Sequence, residues 1–301
     1  MRLRHVVRLS LLLALLAAAG AAEPRDGMAD IDLARVGVFG PELGGRINAL
    51  KRNCILLRQA TAAGNSRLGG MPSVAGFAWP LGKDAKPMSF IGQFDLKELN
   101  ADGYLADVPA SGALLAFYDA EQNGWGFDPK ETDYFRLAHV EAVQGPPMAA
   151  PATLPKEAIF QAMPLQGSRT RDWPDLDALA NHGIALTENQ RLIYTGLLQR
   201  IAAARGGCKL GGYPNAIQGD MTLECQLVTH GLYCGDGSGY ADPRRRELEK
   251  GAKDWGLVLQ IDSCDEIGMM WGDAGMLYYW MRDADLKARK WGAAWLISQC
   301  Y

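Results

Sequence analysis

The sequence predicts an α+β fold in which two internally duplicated, β-rich halves pack as one compact domain with flanking helices. The first observation is a repeated opening, LGGMP at 68–72 and LGGYP at 210–214. The second is a repeated strand pattern, in which FIGQFDL from Phe90 resembles LVLQIDS from Leu257. Both segments alternate side chains in the manner of β-strands. The repetition indicates that one structural unit occurs twice.

A third repeated segment follows each of these strands. SGALLAFYD resembles AGMLYYWMR, and Gly112 of the first aligns with Gly275 of the second. The repeats place the half-repeats at about 64–145 and 206–301. Two such halves commonly share a core that neither closes alone. We therefore expect a single domain over 23–301 rather than two independent units.

The chain begins with the features of a secretory signal peptide. Three arginines, Arg2, Arg4 and Arg8, precede the apolar run LSLLLALLAAAG. Small residues follow this run. We expect 1–22 to be the signal peptide and the protein to be periplasmic or secreted. A membrane-spanning helix needs about 20 apolar residues, more than this run supplies. Later segments are less apolar, so we expect no membrane span after signal removal.

Composition excludes one class of partner and supports a large core. The chain has 34 acidic and 31 basic residues, a formal net charge of −3, and removal of the arginine-bearing leader makes it more negative. Nucleic acid binding depends on clustered Lys and Arg, so we expect no nucleic acid partner. The hydrophobic fraction of 48% and the eight tryptophans predict a globular protein with a substantial core.

The six cysteines form an even set that an exported protein can pair as disulfides. Cys225 and Cys234 are the nearest pair, and a turn near 230–231 between two strands would allow a bridge. The alternative is that each cysteine is a small buried apolar residue. No C-x-x-C or C-x-x-H spacing occurs, so we predict no metal site and no other cofactor.

The elements of the first half follow from local pattern. Apolar residues at helical spacing predict an amphipathic helix over 41–62. The Gly- and Pro-rich segment 68–80 predicts irregular or edge structure. MSFIGQFDL, at 88–96, predicts a strand with one face in the core. Further strands are predicted at 113–119 and 134–143.

The second half begins after a proline-rich connector with short helices, predicted over 145–174. Thr187 and Gln190 have the spacing of a capping box, and Gly206 supplies a helix end, so the intervening segment predicts a long helix. DPRRRELEKGAK, at 242–253, predicts a shorter helix with Asp as its N-cap.

Two further strand regions complete the prediction, over 255–286 and 291–300. The first is broken by the turn residues Gly272 to Gly275. The tryptophans in these strand patterns are expected in the core; they are Trp255, Trp280, Trp291 and Trp295.

These motifs resemble the YwqG-like domains of unknown function. The segments that carry the resemblance are LGGMP with Trp79-Pro80, PMSFIGQFDL, the P-x-x-G-x-L-x-x-F-Y-D pattern at 109–119, LGGYPNAIQGD, and WGLVLQIDS with WGDAGMLYYW. They extend from residue 66 to about 286 in matching order. The resemblance implies an α+β fold of two similar β-rich halves, with no catalytic residue to carry over. The signal peptide and the cysteine content depart from relatives that look cytosolic.

The best candidate site is a pair of Gln-x-Asp segments. Gln93 and Asp95 correspond to Gln260 and Asp262, and each pair lies on one face of its strand. If the halves pair about a pseudo-twofold axis, these side chains converge on one cleft. Convergent carboxylates can act as acid and base or hold a cation. The predicted ligand-binding set also includes Gln218, Asp220, Trp271 and Asp273.

A structural alternative exists for each part of this set. Asp95 can cap the helical turn LKEL, with Glu98 completing a capping box. Gln93 and Gln260 can satisfy backbone groups inside the fold. WGDAG, which contains Trp271 and Asp273, can be a hairpin turn with no role in binding.

Two functions remain open from the sequence. The first is a non-catalytic binding module for a protein or cell-envelope component. The second is a hydrolase or lyase that uses Asp262 and Asp273 as acid and base. The sequence identifies no nucleophile with its base, and we assign no catalytic residue.

Overall fold

The computed structural model describes residues 31–143 and 145–301. The predicted signal peptide at 1–22 lies outside the described residues. Within these ranges, no helix is long and apolar enough to cross a membrane. Helices and strands both occur along the chain, which confirms the α+β prediction.

Within the described residues, ten strands form one sheet in which the pairings are antiparallel. The strands are β1 (Arg52–Gln59), β2 (Arg67–Leu68), β3 (Ser89–Asp95), β4 (Ala113–Tyr118), β5 (Phe135–Val140), β6 (Met163–Asp172), β7 (Lys209–Gly211), β8 (Trp255–Asp262), β9 (Met276–Arg282) and β10 (Trp295–Gln299). Their order is β10-β9-β8-β7-β1-β6-β2-β3-β4-β5. The central pair β1 and β6 is therefore flanked by four strands from each half.

The sheet curves until its two edge strands approach each other. Phe135 of β5 packs edge-to-face against Trp295 of β10, with ring centroids 5.1 Å apart. The segment before β5 also lies along β10: the Ser298 N–H donates to the Trp125 carbonyl at 3.0 Å, and Trp295 Nε1 donates to the Gly126 carbonyl at 2.9 Å. The sheet is thus barrel-like and nearly closed, and all ten strands contribute to its main apolar core.

The α-helices of the described residues flank this sheet. They are α1 (Gly40–Ala49), α2 (Leu96–Leu99), α3 (Leu176–Asn181), α4 (Glu188–Arg205), α5 (Thr222–Val228), α6 (Ser238–Ala241), α7 (Arg245–Leu248) and α8 (Asp283–Lys287). The predicted capping box begins α4, because Thr187 Oγ1 accepts from the Gln190 N–H and Gln190 Oε1 accepts from the Thr187 N–H. Helices α1, α3 and α4 bury a second apolar cluster, which includes Ile47, Leu179 and Tyr194.

The predicted helix over 41–62 is correct only as far as Ala49. Residues Arg52–Gln59 form β1, which pairs with β6 over eight positions and with β7 on its other side. Four consecutive residues of β1, 54–57, are buried. A central strand covered on both faces has no polar face, so its apolar run also fits a helical spacing.

The connector predicted over 145–174 contains the longest strand of the sheet. Met163–Asp172 forms β6, which joins the two halves by pairing with β1 and β2. Pro164 suggested a break, but it is the second residue of the strand, close to the end where proline is tolerated.

The strands predicted at 88–96, 113–119 and 134–143 are confirmed as β3, β4 and β5. One detail is wrong: all seven residues of β3 are buried, rather than one face. The face that carries Phe90 packs against Val74, Phe77 and Trp79, which precede β3 in the chain.

The hairpin predicted around Cys225 and Cys234 is a helix. Residues Thr222–Val228 form α5, and Met221, Cys225 and Val228 are buried at spacings of three and four. Cys225 and Cys234 are both free thiols in the structure, so the predicted bridge is not formed.

The two four-strand sets share local irregularities as well as order. The β3–β4 register shifts between Phe90 and Gly92, and the β8–β9 register shifts between Leu257 and Leu259. In both LGG segments the two glycines, 69–70 and 211–212, have positive φ. Only glycine adopts this conformation readily, which explains why the Gly-Gly pair occurs in both segments.

Candidate functional site

The glutamine of the first Gln-x-Asp segment binds backbone groups of its own half. Gln93 is fully buried. Its Oε1 accepts from the Ser73 N–H at 2.9 Å, and its Nε2 donates to the Asn65 carbonyl at 2.8 Å. The amide therefore fixes the loop that contains LGGMP.

The glutamine of the second segment does the same for the other loop. Gln260 is also fully buried. Its Oε1 accepts from the Asn215 N–H at 2.8 Å, and its Nε2 donates to the Gly207 carbonyl at 2.6 Å. Both side-chain amides therefore satisfy backbone groups inside the fold, which is the structural alternative predicted for them.

Asp95 is the N-cap of α2, as the structural alternative predicted. Its carboxylate accepts from the Lys97 N–H and from Asn65 Nδ2, each at 2.8 Å. The predicted capping box is not completed. Glu98 instead accepts from Ser66 Oγ at 2.7 Å and from the Ser66 N–H at 3.0 Å, which ties α2 to the start of β2.

Asp262, Trp271 and Asp273 lie at the far end of β8 and in the following turn. Burial raises the pKa of Asp262, against a hydrogen bond from Ser263 that lowers it. Trp271 is buried, donates from Nε1 to the Asp262 carbonyl at 3.3 Å and packs edge-to-face against Tyr118. The Asp273 side chain is exposed. Trp271 therefore closes the core at this turn.

Gln218 and Asp220 lie on the surface, in the loop after LGGYP. Gln218 Nε2 donates to the Cys300 carbonyl at 2.7 Å. Asp220 accepts from the N–H and the hydroxyl of Thr222, both at 2.8 Å. These contacts hold the loop against β10 and begin α5.

The structure does not bring the eight predicted residues into one cleft. Strands β3 and β8, which carry the two Gln-x-Asp segments, are separated by β2, β6, β1 and β7. The hydrogen bonds given above for Gln93 and Gln260 have no partner in common. Ligand binding by these residues stays a prediction.

A large cleft, which we call the edge cleft, opens instead where β5 approaches the segment leading into β10. Its volume is about 710 Å³. The lining residues come from both halves and are Pro129, Thr132, Asp133, Phe135, Arg136, Leu137, Val228, Thr229, His230, Gly231, Trp255, Arg282, Asp285, Trp291, Gly292, Ala293, Ala294 and Trp295. None of the eight predicted residues lines it.

Aromatic rings form the buried part of the edge cleft. Trp255, Trp291, Trp295 and Phe135 line it, and each is at most 9% exposed. Trp291 stacks on His139 of β5, with ring centroids 5.7 Å apart and planes 23° from parallel. This contact joins the two four-strand sets, because His139 lies in β5 of one set and Trp291 lies just before β10 of the other.

A polar network fixes the basic side of the edge cleft. Arg282 Nη2 donates to Gln226 Oε1 at 2.6 Å, and Trp255 Nε1 donates to the same oxygen at 2.9 Å. His230 Nδ1 lies 2.6 Å from the Gln226 carbonyl and His230 Nε2 lies 3.4 Å from Arg282 Nη2. A histidine that donates from Nδ1 leaves Nε2 to accept from the guanidinium.

The edge cleft presents both apolar and charged groups. It combines apolar rings with the charged groups of Arg136, Arg282, Asp133 and Asp285, and Lys290 pairs with Asp285 at 3.3 Å. Sequence reasoning placed the tryptophans in the core, which is correct, but it gave no sign that their outer edges line a cleft.

A comparison of the chain with known families matches the region that contains the motifs. Residues 66–300 match the family described as Domain of unknown function (DUF1963). The chain belongs to this family. No curated protein matches the chain. The DUF1963 match spans the two four-strand sets and the central β6, and therefore includes the whole lining of the edge cleft.

Proposed function

We propose that this DUF1963 protein is an exported, non-catalytic binding module that holds an extended segment of a partner protein in the edge cleft. The observation that carries the proposal is the position of the cleft beside β5. In the described part of the chain, β5 pairs with β4 on one side and has no strand on the other. Phe135, Arg136 and Leu137 of this edge strand line the cleft.

An edge strand beside a cleft favours peptide recognition. Exposed strand edges offer backbone N–H and C=O groups that pair with an added strand. The side chains of the added segment then alternate between solvent and the pocket. A volume of about 710 Å³ falls in the range of pockets that bury several side chains of a ligand.

The side chains that line the edge cleft supply specificity, which backbone hydrogen bonds to β5 alone would lack. The rings of Trp291 and Trp295 offer apolar area with little loss of side-chain entropy. Arg136 and Arg282 offer guanidinium donors to carboxylates or carbonyls. Gln226 holds Arg282 in place, which lowers the entropic cost of binding.

The proposal includes duplication of an ancestral β-rich unit. The order of the four-strand sets, the matching register shifts and the matching glutamine contacts support it. In this interpretation the cleft arises because the last strands of the two copies, β5 and β10, meet without pairing. The partner is then a protein of the cell envelope, which an exported chain encounters.

The test is affinity capture with the protein lacking residues 1–22. The parent, an Arg136→Glu variant and an Arg200→Glu control are immobilised and exposed to an envelope extract. Arg136 lines the cleft, whereas Arg200 is an exposed residue of α4 outside it. We expect a partner that the parent and the control retain and the Arg136 variant loses.

A competition step identifies the binding mode. Peptides from the captured protein are titrated against the parent, and hydrogen exchange is followed at the backbone of β5. Slowed exchange of β5 amides supports strand addition. Capture that is equal for all three proteins, or binding without protection of β5, contradicts the proposal.

A further inference from the structure

A second, smaller cavity lies on the other side of Trp255. Its volume is about 40 Å³, room for roughly three water-sized groups. We call it the inner cavity. Its lining residues are Arg52, Asp175, Ala178, Asn181, His182, Gly212, Tyr213, Pro214, Asp220, Thr222, Lys253, Trp255 and Trp280. It therefore lies against the loop that begins LGGYP, and it includes Asp220 of the predicted ligand-binding set.

The corresponding place in the first half is filled by aromatic rings. Phe117 of β4 pairs in register with Phe90, as Trp280 of β9 pairs with Leu257. Phe77 stacks on Phe117 at 5.8 Å between ring centroids. Trp79 and Phe90 also contact the Phe117 ring, at 5.5 and 5.3 Å. This face of the first half is closed.

The difference comes from the loops after the two LGG segments. The loop after LGGMP carries Phe77 and Trp79, whose rings cover Phe117. The loop after LGGYP reads NAIQGDM and supplies Gly219 and Asp220 instead. The two halves share a strand framework, but one covers this position and the other leaves a polar cavity.

Trp280 has a donor that the structure leaves unused. The residue is 2% exposed, and its Nε1 has no hydrogen-bond partner among the described residues. A buried N–H without an acceptor is unfavourable, because it has given up its hydrogen bonds to water. Phenylalanine occupies the matching position of the first half, so packing alone does not require the indole N–H. The N–H is accounted for if a ligand in the inner cavity accepts it.

Groups of both charges line the same cavity. Arg52 lies over the Tyr213 ring, 4.6 Å from its centroid. Asp175 and Asp220 contribute the negatively charged groups of the lining. Burial raises the pKa of Asp175 to about 6, with contributions from neighbouring carboxylates that include Asp220, and Arg52 acts in the other direction. A ligand ammonium would pair with these two carboxylates.

We propose that the inner cavity binds a small free α-amino acid. The ligand carboxylate accepts from Trp280 Nε1 and the Arg52 guanidinium, and its ammonium group donates to Asp175 and Asp220. The site is independent of the edge cleft, although Trp255 forms a wall of both.

The test uses glycine as the probe and the indole N–H as the reporter. The chain has eight tryptophans, and the ¹H–¹⁵N indole signal that disappears in Trp280→Phe identifies Trp280. We expect glycine to shift this signal in a saturable manner. Asp220→Asn should weaken glycine binding about tenfold, the cost of one charged contact of ~1.4 kcal/mol.

Two controls make the result specific. Asp236→Asn changes an exposed aspartate outside the cavity and should leave the glycine affinity unchanged. Trp280→Phe, which copies Phe117 of the first half, should remain folded by thermal unfolding and lose glycine binding by calorimetry. Acetate and methylammonium are titrated separately, and each should bind more weakly than glycine.

Three outcomes overturn the proposal. They are a Trp280 signal that glycine leaves unmoved, an affinity for acetate or methylammonium equal to that for glycine, and glycine binding that survives Trp280→Phe. Loss of partner capture by Arg136→Glu has no bearing on these measurements, so failure at one site is distinguishable from failure at the other.

Discussion

Gln93 and Gln260 make the same two backbone hydrogen bonds, one in each half of the sheet. Each Oε1 accepts from the N–H of the residue after the LGG-x-P proline, Ser73 or Asn215. Each Nε2 donates to a carbonyl just before the short strand of its own half. A buried amide in this position joins a loop to a strand, so the repeated glutamine is explained by folding before any ligand is considered.

Replacement of Gln260 by leucine should destabilise the protein. The change leaves the Asn215 N–H and the Gly207 carbonyl without their partner, and an unsatisfied buried group costs about 1 to 3 kcal/mol. We expect a loss of about 2 to 4 kcal/mol in the free energy of unfolding, measured by urea denaturation. Gln218→Leu is the control, because Gln218 is exposed. Equal stability of the two variants would show that the amide contacts contribute nothing.

The buried aspartate of β6 should matter far more than an exposed one. Asp172 accepts from Arg205 Nη1 at 2.9 Å and from Lys209 Nζ at 2.7 Å, and all three side chains are at most 7% exposed. Asp172→Ala leaves two buried cations without this carboxylate, which costs about 3 to 5 kcal/mol.

The matched variant for this prediction is Asp102→Ala. Asp102 pairs with Arg169 at 2.6 Å, but the two side chains are 56% and 46% exposed. An exposed pair contributes less than about 1 kcal/mol. Thermal and urea unfolding should therefore show a much larger loss of stability for Asp172→Ala than for Asp102→Ala. A similar small loss for both would contradict the view that the Asp172 network is a buried structural element.

Stability should fall as the pH rises towards neutrality because of Glu224. This side chain is 6% exposed and accepts from the Tyr240 hydroxyl at 3.1 Å. Burial raises the pKa of Glu224 from 4.5 to about 7. The folded state therefore holds a proton that the unfolded chain releases above pH ~4.5. The contribution of protonated Glu224 to the free energy of unfolding is fully present below that pH, and it is lost as the pH rises to about 7.

Glu224→Gln should remove this dependence. The difference between parent and variant should change by up to about 3 kcal/mol between pH 4.5 and 7, since one pKa unit corresponds to 1.36 kcal/mol. Urea unfolding at a series of pH values measures it. Glu247→Gln, on an exposed side chain, is the control and should run parallel to the parent. A parallel course for Glu224→Gln would mean that Glu224 is ionised in the folded state at pH 5.

The near closure of the sheet depends on Gly126. Its φ is +87°, and a Cβ there would collide with the Leu296 carbonyl of β10. Gly76, with φ +71°, has open space around its Cβ position. Alanine at Gly76 carries only the backbone cost of a left-handed conformation, about 1 to 2 kcal/mol.

Gly126→Ala carries that backbone cost and also separates the 125–127 segment from β10. We expect its loss of stability to exceed that of Gly76→Ala by at least about 2 kcal/mol. Hydrogen exchange should show faster exchange of the Ser298 amide, which donates to the Trp125 carbonyl. Equal losses in the two glycine variants would show that contact between the sheet edges adds no stability.

Local sequence was enough to identify the repeated elements. Helix α4 was predicted because its capping box and its terminal glycine lie at the two ends of one continuous segment. Strands β3, β4, β8 and β9 were predicted because repeated segments of similar pattern encode them. The N-cap role of Asp95 also follows from its immediate neighbours. These features depend on residues a few positions apart.

Only the tertiary structure decided how the halves join and where a ligand can bind. β1 was misassigned because a strand buried on both faces loses the alternation that identifies it. β6 was misassigned because Pro164 suggested a break and residues 166–169 are exposed in a row. The edge cleft exists because curvature of the whole sheet brings Phe135 to Trp295, far apart in the chain. Side-chain periodicity reports which face of an element is buried, whereas the meeting of two sheet edges depends on the summed twist of ten strands.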